Sequence, residues 1–203
     1  MPSFDLESTY WQQGRLVAGM DEVGYGSWAG PLLMVAVQWP PNLRVDAAIE
    51  DSKRLSAKRR THAYCRIVTS GCAIGRGWVR AAEISRIGLA RAHDLAAARA
   101  LDDLPSLPDA VLIDGTRRIQ GLPCPYSLIL KGDQKSLSIA SASIIAKTER
   151  DEWMRDHPLA DRYGWSRNSG YGTQGHIQSI EKYGPSEEHR MNIGRLNQLG
   201  LGL

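Results

Sequence analysis

The stretch Gly19-Met20-Asp21-Glu22-Val23-Gly24-Tyr25-Gly26-Ser27-Trp28-Ala29-Gly30-Pro31 constrains this chain more than any other. An apolar run reaches two adjacent carboxylates and passes at once into a glycine-rich turn. In a regular strand Asp21 and Glu22 would point to opposite faces. Both serve one site only if the strand ends there and the backbone bends. Gly24, Gly26 and Gly30 permit that bend and leave peptide N–H and C=O groups bare of side chains. A carboxylate pair beside exposed backbone suits a metal ion together with a phosphate or sugar ligand.

Composition sets wide bounds. A chain of 203 residues, 42% apolar and 23% charged, is long enough to bury one substantial core and is ordinary for a globular protein. No apolar run approaches the roughly 20 residues that span a bilayer, so no membrane association is expected. Met1 to Glu7 lacks the basic start and apolar stretch of a secretory signal. Cys65, Cys72 and Cys124 are odd in number and form no CxxC pair, which points to reduced, structural thiols and a cytoplasmic location. The formal charge of +3 permits a polyanionic partner without demanding one. A monomer is the default.

Along the chain, 15–21 and 32–39 read as a hairpin-like pair of strands around the glycine turn. Ser56 is the expected N-cap of a basic helix reaching about Ser70, and 72–79 a third strand. An alanine-rich helix is expected over 82–101, short strands at 110–113 and 126–130, and a long helix over 136–155. The small residues in the first half of that helix predict close approach to a sheet. Short helices are expected around 176–183 and 186–199. Strands first, then alternating strands and helices, indicate an α/β sheet covered by helices.

Asp21-Glu22, Asp114 and Asp133 share one local grammar: each follows an apolar strand-like run and has a glycine close by. A lone Asp-Gly after a strand is most often only a turn, and a lone Asp-Glu a solvated pair. If the strands lie side by side, however, the four carboxylates gather into a hard, all-oxygen site. Such a site suits Mg²⁺ or Mn²⁺ rather than zinc. Two ions there would also offset the mutual repulsion of the carboxylates and equip the site for in-line phosphoryl hydrolysis.

Lys53, Arg54, Lys58, Arg59 and Arg60 form either a solvated helix face or a surface that contacts phosphate backbone. Arg117, Arg118, Lys131 and Lys135 flank the acidic positions and could extend that surface. Lys147, Arg150 and Asp151 are spaced for an intrahelical ion-pair network. Tyr171, between Gly170 and Gly172, either stacks on a sugar or base or caps the core from a tight turn. His176 and His189 read as hydrogen-bonded or surface residues rather than metal ligands.

Taken in order, these blocks resemble ribonuclease HII, the type 2 ribonuclease H family. The blocks are Met20–Gly24 with Ala29-Gly30-Pro31, then Asp51–Ser56, Ile113-Asp114-Gly115, Lys131-Gly132-Asp133 with Ser138–Lys147 and Arg150-Asp151, and Gly170–Thr173 with His176 and His189-Arg190. Each alone is weak, but their joint order is specific, and the match runs from about Leu16 to Asn192. The resemblance implies an RNase H-like α/β fold, a mixed five-stranded sheet flanked by helices with a C-terminal helical extension. Residues 1–157 would form the catalytic domain and 158–203 a substrate-binding region packed on it as one structural unit. It implies hydrolysis of RNA in RNA–DNA hybrids and incision 5′ of single ribonucleotides in duplex DNA, giving 3′-hydroxyl and 5′-phosphate ends. Asp21, Glu22, Asp114 and Asp133 would be the catalytic carboxylates holding two Mg²⁺ or Mn²⁺ ions, with Asp21 bridging. Gly24, Tyr25 and Gly26 would read the 2′-hydroxyl through backbone groups, Tyr171 would stack on the following deoxyribose, and Lys53 would touch a phosphate.

Two positions depart from the family pattern. Tyr25 stands where the turn usually carries arginine, and Ser169 where a lysine usually precedes the Gly-Tyr-Gly-Thr block. Both replacements remove a cation from the substrate side while leaving the four carboxylates intact. The expectation is a secure chemistry with a weaker grip on substrate. A junction-acting DNA nuclease of related fold and a catalytically dead nucleic-acid binder are the competing readings.

Overall fold

The computed structural model describes residues 1–41 and 56–191. In chain order the elements are α1 (Asp5–Trp11), β1 (Val17–Val23), β2 (Leu32–Gln38), α2 (Ala57–Val68), β3 (Ala73–Val79), α3 (Ala81–Ile87), α4 (Leu89–Asp102), β4 (Ala110–Asp114) and β5 (Tyr126–Ile129). A single 3₁₀ turn, Gly132–Gln134, leads into α5 (Leu137–Asp156). The short α6 (Ala160–Tyr163) and α7 (Trp165–Asn168) and the longer α8 (Gln174–Tyr183) follow.

The strands form one mixed sheet in the order β3-β2-β1-β4-β5. β1 pairs antiparallel with β2, and β2 with β3; β1 and β4, and β4 and β5, run parallel. β1 is therefore central, and its side chains alternate between two helical layers. Val17 and Val23 join the clusters beneath α5, while Ala18 and Met20 pack with Ala92, Ala96 and Ala100 of α4. Glycine makes both approaches close. A Cβ at Gly19 would fall on the Ser138–Ile139 backbone of α5, and one at Gly77 of β3 would fall on the Ala96 carbonyl of α4.

Helix ends follow local chemistry. Ser56 and Ser136 cap α2 and α5, each accepting a hydrogen bond from the N–H three residues on (Arg59 and Ile139). Buried Glu7 of α1 adds a carboxylate at the α5 N-terminus, accepting from the Ser136 hydroxyl at 2.5 Å and the Ser138 N–H at 2.9 Å. The extended helix expected over 82–101 is instead two helices, because Gly88 adopts φ +81° and breaks the ladder between α3 and α4. The helix expected over 186–199 is absent in its described part: residues 184–191 form turns, and His189 bridges to Ala29. The rest of that segment lies outside the described residues. α1 was not anticipated, its seven residues being too short to show a period.

The C-terminal helices pack through Tyr163, Trp165 and Ile180 onto Met154 and Ala29, so their core meets the glycine turn directly. Among the described residues no helix is long and apolar enough to cross a membrane, and all three cysteines are free.

Candidate active site

β1 does not stop at Asp21. Its pairing with β2 continues through Asp21↔Val35, Glu22↔Met34 and Val23↔Leu33. The bend comes at Gly24, with φ +87°. The expectation that both carboxylates serve one site only if the strand ends at them is thus corrected: the strand continues and sends them apart. Asp21 turns toward α5, where Ser143 hydrogen-bonds it. Glu22 turns toward α4, where its Oε2 lies 3.6 Å from His93 Nε2. Both still border one cleft of about 320 Å³ at the end of β1. Val23, Gly24, Tyr25, Gly26, Ser143, Lys147 and Tyr171 complete its lining.

The acidic positions differ in setting. Asp21 is buried, and burial foremost, then the charge of Glu22 and also that of Asp114, pushes its pKa well above the ordinary carboxylate range. The Ser143 hydrogen bond and the Glu22 N–H, 2.8 Å from Asp21 Oδ1, oppose that rise. Asp114 ends β4, beside β1, and its Oδ1 accepts the Gly132 N–H at 2.6 Å. This bond ties Asp114 to the 3₁₀ turn that carries buried Asp133. Asp133 thus lies in the turn after β5 rather than at a strand end. Neither Asp114 nor Asp133 lines the cleft itself.

Among the described residues, no three acidic, histidine or cysteine side chains converge into a closed metal cage. The donor set nonetheless fits a hard cation. Burial and its acidic neighbours make ionisation of Asp21 costly, a cost that a cation would offset, and Mg²⁺ binds through one or two carboxylates while keeping several waters. An open, all-oxygen edge meets that requirement.

Two buried arginines shape the turn. Arg190 Nη1 donates to the carbonyls of Gly24 (2.6 Å), Ser27 (3.0 Å) and Tyr25 (3.3 Å), and its Nε to Gly30 (2.9 Å). Arg150 Nε, Nη2 and Nη1 donate to the carbonyls of Pro31, Ala29 and Ser169. Burial and the adjacent Arg150 charge pull Arg190 down to about 9. With the carbonyls bound from one side, the turn is held without the help of side chains in the cleft. Arg150 is therefore no member of an intrahelical network, whereas Lys147 and Asp151 do pair at 2.8 Å.

The second wall is bolted to the first. The Trp28 and Ala29 N–H groups donate to the Gly170 carbonyl at 2.8 and 3.2 Å. A Cβ built on Gly26 would stand 3.9 Å from Tyr171 Cε1, so Gly26 and Tyr171 face each other across the cleft. Tyr171 is 38% exposed and carries the Arg150 guanidinium 5.9 Å from its ring centroid. Ser169 holds a left-handed conformation, φ 46°, and its hydroxyl donates to Asp151 at 3.1 Å.

Of the nine residues singled out from sequence, the cleft brings together Asp21, Glu22, Gly24, Tyr25, Gly26 and Tyr171. Lys53 lies outside the described residues, as does Arg54. Arg117 is not a free phosphate contact, because it is bound to His93, Asp94 and the Ala90 carbonyl. Ser143, Lys147 and His93 were given no role in the cleft. Only Lys147 carried a signal for one, as a cation on the helix packed against β1.

The ribonuclease HII family model matches residues 18–197. The ribonuclease HII of Gluconobacter oxydans is 43% identical over 203 residues, covering 98% of this chain and 96% of its own. Among solved structures, the ribonuclease H2 of Pyrococcus horikoshii superposes with a TM-score of 0.74 at 20% identity, over 91% of this chain and 96% of that one. Bst-RNase HIII in complex with Mn²⁺ gives 0.71 at 18%, over 91% and 68%. The structural neighbours share the fold, and the family model and the sequence relatives align over nearly the whole of this chain; on that ground the chain belongs to the ribonuclease HII family.

Proposed function

We propose that this metal-dependent endoribonuclease, which acts on the RNA of RNA–DNA hybrids, also incises duplex DNA on the 5′ side of single embedded ribonucleotides. The observation that carries this is the meeting, in one cleft, of the Asp21 carboxylate, the side-chain-poor Gly24–Gly26 turn and the Tyr171 ring. A ribose differs from deoxyribose only by its 2′-hydroxyl, which is both donor and acceptor. The turn, its carbonyls held by Arg190, would offer that hydroxyl backbone groups at fixed positions. Tyr171 supplies a flat surface for the next sugar. An all-DNA substrate has no 2′-hydroxyl for the turn to read.

Asp21, Glu22, Asp114 and Asp133 would hold two ions, with Asp21 shared. Mg²⁺ or Mn²⁺, the latter being the ion in the Bst-RNase HIII complex, would when bound supply water activation and offset charge on the leaving 3′-oxygen. Asp21 brings the buried charge that recruits the cation. Ser143 and the Glu22 N–H fix its carboxylate. Lys147, in the cleft and paired with Asp151, stands where a phosphate of the substrate strand would pass.

The test is cleavage of three duplexes with Mg²⁺ or Mn²⁺: an RNA–DNA hybrid, a DNA duplex with one ribonucleotide, and all-DNA. Cleavage of the first two, leaving a 3′-hydroxyl and a 5′-phosphate, supports the proposal. Cleavage of the hybrid alone refutes single-ribonucleotide incision, and cleavage of all-DNA refutes ribose reading by the turn.

A further inference from the structure

We infer that His93, fixed by Arg117, is a positioning residue for Glu22. The inference rests on the reading of Glu22 as a metal-holding carboxylate. Glu22 is the one acidic group of the cleft that leaves β1 on the α4 side, away from Ser143 and the backbone groups that fix Asp21. Its side chain is 28% exposed and long, so an untethered Glu22 would sample several rotamers. A ligand that must be placed each time weakens metal binding, and groups behind a ligand commonly contribute ten- to a hundred-fold to affinity.

His93 offers what Glu22 lacks. It sits on the first half of α4, is 3% exposed, and presents Nε2 to Glu22 Oε2 at 3.6 Å. Arg117 Nη1 stands 2.6 Å from the other ring nitrogen, Nδ1. A guanidinium has donors only, so Nδ1 must accept and the ring proton must sit on Nε2. That proton is aimed at the Glu22 carboxylate. The 3.6 Å separation is outside hydrogen-bond range, but the terminal torsion of glutamate is broad and soft. A small turn of the carboxylate would close the bond. Arg117 is itself anchored, donating to Asp94 Oδ1 at 3.0 Å and the Ala90 carbonyl at 2.9 Å.

The same histidine touches the ribose-side wall. The Tyr25 ring meets it edge-on, centroids 5.5 Å apart at 85°. His93 thus joins the carboxylate on one side of the cleft to the glycine turn on the other.

The experiment measures Mn²⁺ binding to the free protein by calorimetry and electron paramagnetic resonance, and the His93 ring by long-range ¹H–¹⁵N NMR without metal. In the native protein Nδ1 should resonate as a bare acceptor and Nε2 as the protonated nitrogen. His93→Leu should weaken Mn²⁺ about ten-fold, and His93→Gln, which keeps a donor near the Nε2 position, should recover most of the loss. Should His93→Leu fail to fold, Arg117→Met tests the same chain: the ring loses its single tautomer and Mn²⁺ weakens several-fold. A folded His93→Leu or Arg117→Met with native Mn²⁺ affinity, or a native ring protonated at Nδ1, overturns the inference. Glu22→Gln is the control for the underlying reading. If it leaves Mn²⁺ affinity unchanged, Glu22 is no ligand; if it weakens Mn²⁺ while His93→Leu does not, only the positioning role fails.

Discussion

Arg190 donates to the Gly24 carbonyl across 166 residues of chain, at 2.6 Å, and the bond is fully buried. Three more carbonyls of the same turn share that guanidinium. Its planar fork serves several acceptors at once, which the point charge of a lysine ammonium cannot do. Arg190→Met should therefore destabilise the protein by about 3 kcal/mol, since buried hydrogen bonds to a charged donor are lost together. Arg190→Lys should recover part of the stability but still raise KM on an RNA–DNA hybrid, because the turn is loosened where substrate meets it. Urea unfolding and steady-state kinetics check this. A loss below about 0.5 kcal/mol for Arg190→Met, the level of an ordinary surface change, would mean the arginine is a bystander.

Asp21 presents the opposite bargain. Its burial beside Glu22 and Asp114 costs stability in the absence of a cation. Asp21→Asn should abolish turnover while making the metal-free protein more resistant to urea, by on the order of 1 kcal/mol, through relief of like-charge repulsion. Millimolar Mn²⁺ should raise the Tm of the native protein and leave that of the variant nearly unmoved. A variant that loses stability and still responds to Mn²⁺ would show that Asp21 is a structural carboxylate and no ligand.

What could be read in the sequence follows from how local each signal is. The β1–turn–β2 pair, the Ser56 and Ser136 caps and the close packing of α5 on the sheet were legible, because alternation, capping and small residues act within a few positions. The break at Gly88 was not, because an isolated glycine in an alanine-rich run is tolerated unless the backbone turns left-handed there. In the site, the nearness of Asp21 and Glu22 to the Gly24–Gly26 turn was legible, because they adjoin in sequence. The continuation of β1 past Asp21, which gives Asp21 and Glu22 opposite faces, was not, since it depends on β2 extending the pairing two residues further. The roles of Arg150, Arg190 and His93 are long-range, with partners 119, 166 and 24 positions away. No spacing rule reaches that far.

Acid should loosen the wall that carries Tyr171. His189 Nδ1 accepts the Ser186 N–H at 2.9 Å, so its proton sits on Nε2, 3.1 Å from His176 Nε2. His176 Nε2 also lies 3.1 Å from Trp165 Nε1, and its Nδ1 lies 3.0 Å from the Tyr171 carbonyl. Burial first, then the neighbouring His176, lowers the His189 pKa from 6.5 to about 4, and burial lowers His176 as well. Between those pH values the unfolded chain binds more protons than the folded one. The contribution is therefore complete above pH 6.5 and declines as pH falls toward 4, by on the order of 3 kcal/mol for His189 over the full interval. Urea unfolding at pH 7.5, 6 and 5 should show this decline in the native protein and a shallower one in His189→Gln. Parallel curves for the two proteins would exclude the histidine pair as its source.

Tyr25 is the side chain at the centre of the Gly24–Gly26 turn, and its geometry bears on substrate grip. Its ring packs edge-on against His93 and its carbonyl accepts from Arg190, so it is held in the wall rather than offered as an open stacking surface. Tyr25 therefore supplies no cation to the substrate side of the turn. Tyr25→Arg should restore one, lowering KM on a duplex carrying a single ribonucleotide and steepening the salt dependence by about one phosphate contact. His93 keeps its Arg117 anchor, so kcat should change little. Selectivity for the ribonucleotide over all-DNA should barely move, because the 2′-hydroxyl is met by backbone groups that the substitution leaves in place. An unchanged KM and salt slope would show that position 25 does not face phosphate, and a large fall in selectivity would show that the tyrosine side chain itself takes part in reading the ribose.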